Sequence, residues 1–379
     1  MKELRRVLCV LMMSIITNTI LTTSATEMGN EIPLSKPGCP SRCGNVSVPY
    51  PFDYNLNCSH TTITNNPPRL FFSTIPTILE VMDISIKGKL RLKTPLAYNH
   101  YQQGKLISHE YSDAFPYDLF PHPQVFSDTA NKLTVVGCDD SASASASSDA
   151  SYSTYSRHGC HAYCSNLHEL INGSCSGNGC CQVSIPNGMT IFNPRLDSDY
   201  NHSLYNTSNT YGYAFIAEEG TYTFNSIDLF NHTAFVNKIH NHVRVVTEWF
   251  VRQHESCNKV LTNKSTYVCQ NNTHCIDFQA GLFTGYRCSC LPGYRGNPYL
   301  SPGCTDIDEC AGVDNPCSHT CTNIPGSYKC SCPKRHKGNG LKNGTGCTSD
   351  SSQVFSRLAL GFGASFGSII VLLVGSWLY

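Results

Sequence analysis

Six cysteines fall between Cys310 and Cys347, and this stretch constrains the fold more than any other part of the 379-residue chain. Between these two ends lie Cys317, Cys321, Cys330 and Cys332. A segment this short cannot bury enough apolar surface to be stable on its core alone, so it needs disulfides. The whole chain has 22 cysteines, a density that indicates an oxidising compartment and structural cross-links.

Acidic residues directly precede the first of these cysteines, in the run Asp306-Ile-Asp-Glu-Cys310. This run, together with the spacing Cys321-x-Asn323-x4-Tyr328-x-Cys330, resembles a calcium-binding EGF-like module. The resemblance implies that residues 305–347 form such a module and bind Ca²⁺, a hard cation that takes oxygen ligands. The implied ligands are the side chains of Asp306, Glu309 and Asn323 and the backbone carbonyls of Ile307, Ile324 and Ser327.

An EF-hand is the main rival for the acidic run. A loop beginning at Asp306 would need an acid or amide at its fifth position, a glycine at the sixth and a glutamate at the twelfth. The chain has Cys310, Ala311 and Cys317 at these positions, which excludes an EF-hand. The alternative that remains is an acidic turn ahead of the disulfides, with no metal.

A second group of six cysteines occupies residues 257–304, and its tail, Gly285–Tyr299, resembles that of an EGF-like module. No acidic run precedes Cys257, so we predict no calcium site there. In both modules the resemblance implies that the first cysteine pairs with the third, the second with the fourth and the fifth with the sixth. The implied pairs are Cys257–Cys275, Cys269–Cys288, Cys290–Cys304, Cys310–Cys321, Cys317–Cys330 and Cys332–Cys347.

The N-terminus has the pattern of a secretory signal. Basic residues precede the apolar run Val7–Ile16, and residues 1–25 are predicted to form a signal peptide. N-glycosylation sequons, which favour surface loops of secreted proteins, occur at Asn45, Asn172, Asn201, Asn206, Asn231, Asn263, Asn271 and Asn343. A weaker sequon lies at Asn57. The formal net charge of zero gives no sign of a nucleic-acid partner.

Two motifs characterise residues 39–138. Cys39-Pro-Ser-Arg-Cys43 with Pro-Tyr-Pro-Phe52, and later Phe126-Ser-Asp through Val-Val-Gly-Cys138, resemble the opening and the end of the galacturonan-binding domain of plant wall-associated kinases. We therefore expect a small β-rich, disulfide-tied domain here. Residues 139–156, almost all Ser, Ala and Asp, predict a flexible linker.

Residues 157–256 continue the resemblance. The pair Cys180-Cys181 and the predicted strand Tyr213–Ala217 are similar to the second extracellular segment of wall-associated kinases. Adjacent cysteines rarely bond to each other, so each is expected to tie a different loop. Val243–Val251 predicts a further strand, and the scattered histidines are interpreted as solvated loop residues rather than metal ligands.

Ile78–Leu92 alternates apolar and polar residues around Gly88, which predicts a β-hairpin. Lys89, Arg91 and Lys93 recur every second residue and would share one face of a strand. Such a row of cations suits the row of carboxylates on a polyuronide. A solvated strand face that protects a sheet edge is the alternative.

Nine cysteines lie in residues 39–181, an odd number. In the family that this segment resembles, two cysteines usually follow the Pro-Tyr-Pro-Phe motif, whereas this chain has only Cys58 there. We therefore predict that Cys58 is unpaired.

The 22 residues Leu358–Tyr379 contain no charge and are long enough to span a bilayer as a helix. Gly363 and Gly367 form a small-residue pair that favours self-association of membrane helices. A signal for a lipid anchor is the alternative.

We therefore expect small disulfide-rich, β-dominated modules in tandem, two of them EGF-like, and a single C-terminal transmembrane helix. The resemblance implies a receptor-like protein at the plasma membrane, exposed to the cell wall, with pectin or oligogalacturonide as partner and calcium as cofactor. An EGF-type adhesion or peptide-binding protein without polysaccharide affinity is the alternative. An enzyme is least favoured: the chain has no kinase motif, and nothing places acid pairs such as Asp197/Asp199 or Glu218/Glu219 across a cleft as a glycosidase requires.

Overall fold

The computed structural model describes residues 34–52, 56–59, 67–73, 78–111, 117–119, 122–147, 154–164, 166, 169–193, 195–203, 210–251, 253–262, 267–349 and 367–377. The predicted signal peptide, the sequons at Asn206 and Asn263, and Gly363 lie outside these residues.

Strands dominate the described residues. In chain order they are β1 (Arg42–Cys43), β2 (Val46–Ser47), β3 (Leu56–Ser59), β4 (Arg69–Ser73), β5 (Ile78–Ser85), β6 (Lys89–Lys93), β7 (Leu96–Gln102), β8 (Lys105–Tyr111), β9 (Tyr117–Asp118), β10 (Gln124–Phe126), β11 (Asn131–Val136), β12 (Asp139–Ser147), β13 (Thr154–Tyr163), β14 (Cys180–Ser184), β15 (Ile191–Phe192), β16 (Arg195–Ser198), β17 (Thr210–Glu218), β18 (Arg244–Trp249), β19 (Thr273–Ala280), β20 (Phe283–Cys290), β21 (Tyr294–Gly296), β22 (Cys304–Asp306), β23 (Thr320–Ile324), β24 (Ser327–Ser331), β25 (His336–Lys337) and β26 (Thr348–Ser349). Helices are fewer: a 3₁₀ helix at Ser226–Leu229 and α-helices at His232–His242, Cys257–Thr262 and 367–377.

Two antiparallel sheets organise the N-terminal part. The first has the order β10-β18-β6-β5-β4-β3 and the second the order β14-β11-β17-β7-β8. The second sheet is buried on both faces: Leu133, Val135 and Ile216 belong to one apolar core, whereas Phe215 packs in another core with Phe235 of the helix His232–His242. This accounts for the predicted strand at Tyr213–Ala217, which lies inside β17 as an almost continuous apolar run.

The predicted hairpin at Ile78–Leu92 is confirmed. Strands β5 and β6 pair antiparallel, and Gly88 takes a positive φ of 98° in the turn between them. The predicted strand at Val243–Val251 is also present, as β18.

The predicted boundary between residues 39–138 and 157–256 does not divide the fold. Strand β11 lies between β14 and β17, so that Leu133 pairs with both Val183 and Ile216. Strand β18 in turn lies between β6 and β10. Because each predicted segment supplies strands to the interior of a sheet that the other completes, the two form one interleaved β-structure.

The linker predicted at 139–156 is wrong over its described residues. Strand β12 is the centre of a three-stranded sheet, β13-β12-β16. Composition alone does not reveal the strand, because the small apolar residues alternate with the polar ones: Ala142, Ala144 and Ala146 are buried at every second position, while the serines between them are partly exposed. A strand with one face of small apolar side chains can pack closely against another layer.

Four disulfides tie this β-structure: Cys43–Cys58, Cys138–Cys164, Cys160–Cys181 and Cys175–Cys180. The prediction that Cys58 is unpaired is therefore wrong. An odd cysteine count shows that pairing within a segment is incomplete but cannot say which thiol is left over. The adjacent cysteines do tie different segments, because successive residues of a strand point to opposite faces.

By its contacts the chain forms two compact units. Unit 1 contains the described residues up to Cys290 together with Gly296–Gly303, and unit 2 contains Leu291–Arg295 and the described residues from Cys304 onward. Most of the first EGF-like module is therefore part of the same unit as the β-structure, rather than a separate module in tandem with it.

Trp249 lies where the first EGF-like module packs against the β-structure. Its side chain is 3% exposed, its indole N–H donates to the Ser85 carbonyl at 3.1 Å, and its ring meets Phe52 edge-on with centroids 4.8 Å apart. On another side it contacts Tyr299 of the EGF-like module at 5.3 Å. Burial raises the pKa of Tyr299 to about 12, and its hydroxyl oxygen accepts the Cys288 N–H.

Arg287 and Asn297 fix the same module to the β-structure through polar contacts. Arg287 bonds to Glu248 at 3.0 Å and to the Trp249 carbonyl at 2.7 Å. The amide of Asn297, which is 2% exposed, donates to the Tyr50 carbonyl at 2.9 Å.

Within the described residues no helix is both long and apolar enough to cross a bilayer. Of the predicted membrane segment, 367–377 are described and are helical.

Trp249→Ala should destabilise unit 1 by about 3–5 kcal/mol, because it removes a buried indole and leaves a cavity between Phe52 and Tyr299. Thermal unfolding followed by circular dichroism measures the effect. Trp377→Ala is the control, since Trp377 is 93% exposed and should leave the melting temperature unchanged. Equal stability of both variants would contradict the central role of Trp249.

Residues 34–138 expressed alone should not fold, because β6 and β11 lose their neighbours β18, β14 and β17. Residues 34–349 should give protected amides and dispersed NMR signals under the same oxidising conditions. Slow amide exchange in β11 of the short fragment would contradict the interleaved fold.

Candidate calcium site

The acidic run meets the β23–β24 hairpin at Asp306. One carboxylate oxygen of Asp306 accepts a hydrogen bond from the Asn323 amide at 2.7 Å, and the other accepts the backbone N–H of Gly326 in the hairpin turn. Two of the side chains that the sequence proposed as calcium ligands are therefore in direct contact. Ile324 and Ser327 form the pair that closes the same hairpin, and so four of the six proposed residues converge at this turn.

Two glycines allow this close approach. Gly326 has a φ of 76°, and a Cβ atom there would lie 2.8 Å from the ring of Tyr294. A Cβ atom on Gly293 would lie 2.0 Å from the carbonyl oxygen of Gly326. Ile307 is held nearby, because its N–H donates to the Gly293 carbonyl at 2.9 Å.

The remaining acids of the run have different environments. Asp308 is a capping residue: its Oδ1 accepts the N–H groups of Cys310 and Ala311 at 3.0 and 3.1 Å. Glu309 differs, because its Oε2 is shielded from solvent yet accepts no hydrogen bond from any described residue. A buried carboxylate oxygen without a donor is costly unless a cation compensates it.

The disulfides of this module are Cys310–Cys321, Cys317–Cys330 and Cys332–Cys347. The first module contains Cys257–Cys275 and Cys269–Cys288, and Cys290 and Cys304 are each disulfide-bonded. The five pairs with both partners identified are those that the resemblance to EGF-like modules implies.

The proposed polyuronide-binding cations lie on β6 in a mixed-charge environment. Arg91 forms a bidentate pair with Glu218 at 2.8 and 2.9 Å and also contacts Asp83 at 2.9 Å. The bonds to Glu218 raise the pKa of Arg91 above its ordinary value. Lys93 lies 3.7 Å from Glu80, whereas Lys89 is exposed. Strand β6 is also interior to its sheet, so these residues do not protect a sheet edge.

The sequence did not predict a buried pair formed by a histidine and an aspartate. His202, expected to be a solvated loop residue, is buried, and its Nε2 lies 2.8 Å from the carboxylate of Asp140. Burial raises the pKa of Asp140. Gly137 and Gly212 make room for the carboxylate, since a Cβ atom on either would overlap it. The positive φ of His202, 58°, gives no signal in the sequence.

Next to this pair, Asp139, His161 and Asp199 bring ligand atoms within 4.8 Å of one another. Asp139 Oδ2 is already engaged, because it accepts bonds from the Ser198 hydroxyl at 2.8 Å and the Tyr200 N–H at 2.7 Å. His161 and Asp199 are 3.8 Å apart and about half exposed. The group thus serves to hold the loop that follows β16.

Comparisons with protein-family models identify both EGF-like modules. The family model for the calcium-binding EGF domain matches residues 306–347, and the model for the EGF-like domain matches residues 257–298. No solved structure matches the chain.

The curated relatives are receptor kinases of Arabidopsis thaliana. Wall-associated receptor kinase 2 is 34% identical over 81% of this chain and 40% of its own length. Wall-associated receptor kinase 5 is 31% identical over 78% of the chain and 38% of its own length. Wall-associated receptor kinase 4 is 29% identical over 89% of the chain and 44% of its own length. This chain therefore spans about two-fifths of the length of these relatives, and over about four-fifths of its own length it is a homologue of the wall-associated receptor kinases and kinase-like proteins.

Proposed function

We propose that this chain is the extracellular part of a wall-associated receptor-like protein, held at the plasma membrane through residues 358–379, that binds pectin-type polysaccharide. The observation that carries the proposal is the homology, which extends over 81% of the chain, together with the family models that match both EGF-like modules. The β-structure is the ligand-binding part, and the second EGF-like module binds calcium.

The calcium proposal rests on the oxygen donors of unit 2. Asp306, Glu309 and Asn323 supply side-chain oxygens, which is the donor chemistry that Ca²⁺ prefers. The undonated Oε2 of Glu309 is the observation that favours a cation over an acidic turn with only a capping role. When bound, calcium would neutralise the two carboxylates, and Ile307, Ile324 and Ser327 would supply backbone oxygens.

Binding of polyuronide requires exposed cations at intervals that match the carboxylates of the polymer. On β6, Lys89 is the exposed one of the three proposed cations, whereas the ammonium of Lys93 lies 3.7 Å from the Glu80 carboxylate. Arg91 contributes to the structure through Glu218 and Asp83, and its charge is largely compensated.

The same compensation favours a second candidate function. A face on which Arg91 and Lys93 each lie against carboxylates suits an adhesion or peptide-binding role without polysaccharide affinity. Titration of the secreted protein with labelled oligogalacturonide distinguishes the two, because only the first predicts binding.

Asp306→Ala and Glu309→Gln should each lower calcium affinity by at least about 10-fold, since even supporting partners of a metal ligand are worth 10–100-fold. Calorimetry of the secreted protein measures the affinity. Asp306→Ala should also increase proteolysis near Thr305.

Asp314→Asn is the matched control for calcium, because it removes one exposed carboxylate from the same module. Its affinity should remain that of the wild type. An unchanged affinity for Asp306→Ala, or equal losses in all three variants, would argue against the assigned ligands.

Lys89→Gln combined with Lys93→Gln should weaken oligogalacturonide binding severalfold, because each exposed charge contact is worth about 0.2–1 kcal/mol. Wild-type binding should also fall as salt rises from 0.1 M to 1 M, where the Debye length shrinks from about 10 Å to about 3 Å. Arg91 stays in place because its loss would leave Glu218 without a partner.

The control for this pair is Lys105→Gln with Lys132→Gln, which removes the same charge from the other large sheet. Undiminished affinity in the Lys89/Lys93 variant, or equal losses in both variants, would exclude β6 as the binding face. The domain assignment would still stand if the wild type binds.

A further inference from the structure

Three large apolar side chains of unit 1 are exposed close to one another. Ile171, Ile227 and Phe230 are 68%, 62% and 57% exposed. Clustered exposed apolar side chains are typical of surfaces that bind or are covered by another group. We call these three residues the apolar patch.

Backbone contacts bring the patch together. The Asn172 side chain accepts the N–H of Ser226 at 2.8 Å, which places Ile171 beside the start of the 3₁₀ helix. The Gly173 N–H donates to the Phe224 carbonyl at 2.8 Å and fixes the same approach. Ile227 lies in the 3₁₀ helix and Phe230 is its C-cap residue, so both belong to the segment that Asn172 and Gly173 contact.

A glycosylation sequon adjoins each end of the patch. Asn172 follows Ile171 in the sequon Asn172-Gly-Ser174, and Asn231 follows Phe230 in the sequon Asn231-His-Thr233. Both asparagines are exposed.

The side-chain geometry of both asparagines suits the modification. Asn231 Oδ1 caps the helix His232–His242 by accepting the Ala234 N–H at 3.0 Å, and Asn172 Oδ1 accepts the Ser226 N–H. In each case the oxygen is engaged, whereas Nδ2 donates to no described residue. A sugar on Nδ2 would therefore leave both backbone contacts intact.

We propose that N-linked glycans on Asn172 and Asn231 lie over the apolar patch and are its cover. In the transfer, Nδ2 forms a bond to the anomeric carbon of a polyprenyl diphosphate oligosaccharide, the bond from that carbon to the diphosphate oxygen breaks, and the amide loses one proton. The apolar C–H faces of the first sugars then contact Phe230 and the two isoleucines. This inference does not depend on polysaccharide or calcium binding.

The test is carried out on the full chain, purified from cells that glycosylate. Ser174→Ala and Thr233→Ala remove the sequons but keep both asparagines, so the helix cap survives. Peptide mass spectrometry should find glycan on Asn172 and Asn231 in the wild type. It should find no glycan on these two asparagines in the double variant. Hydroxyl-radical footprinting then measures the accessibility of each apolar side chain.

Labelling of Ile171, Ile227 and Phe230 should be low in the glycosylated wild type and should rise in the double variant. Leu282 is the matched control, because it is 58% exposed, lies far along its hairpin from the sequon at Asn271, and should be labelled equally in both. Enzymatic deglycosylation of the folded wild type, which leaves Asp at both positions and so keeps a capping oxygen, should reproduce the rise if the variants fold poorly.

Absence of glycan from both asparagines in the wild type would overturn the inference. So would equal labelling of the patch with and without glycan. If the unglycosylated protein is an oligomer and its apolar patch stays protected from labelling, a second copy of the chain covers the patch and the inference is wrong.

Discussion

The burial of Trp249 is the interaction on which the arrangement of unit 1 depends. Its strand, β18, lies between β10 and β6 in the six-stranded sheet. Its indole ring contacts Phe52 from the N-terminal part of the chain and Tyr299 from the first EGF-like module. Since the indole N–H is also bonded to Ser85, the ring can occupy this position only when the β5–β6 hairpin is in place. Segments that are more than 200 residues apart in sequence therefore become ordered together.

The two EGF-like modules differ in how they are connected to the β-structure. The first is anchored by a buried aromatic contact and by the ion pair of Arg287 with Glu248, so it behaves as a continuation of the β-structure. The second belongs to a separate compact unit, with little apolar core of its own and three disulfides. Its stability depends on covalent cross-links, and on the proposed cation, rather than on hydrophobic burial.

The charged side chains of the two units have different kinds of partners. In unit 1 the carboxylates of Glu218 and Asp83 compensate Arg91, and buried Asp140 is compensated by His202. In unit 2 the Asp308 carboxylate accepts the backbone N–H of Cys310, whereas Oε2 of Glu309 accepts no hydrogen bond from a described residue. A buried acceptor without a donor is costly, so Glu309 is the carboxylate of the acidic run that a cation would stabilise.

Features that depend on short spacing can be predicted from the sequence alone. The cysteine pattern and the acidic run identify two EGF-like modules that the family models also match, and alternation around Gly88 predicts the β5–β6 hairpin. Pairing between distant segments, in contrast, is visible only in the folded chain. No local pattern shows that β11 enters a sheet with β14 and β17, that the Ser/Ala segment buries its alanines, or that Cys58 bonds to Cys43. Arg91 likewise has the local pattern of a solvated cation, and its partner Glu218 is 127 residues away. Strand pairing and charge compensation between remote segments are set by the fit of whole surfaces, which short-range sequence spacing does not encode.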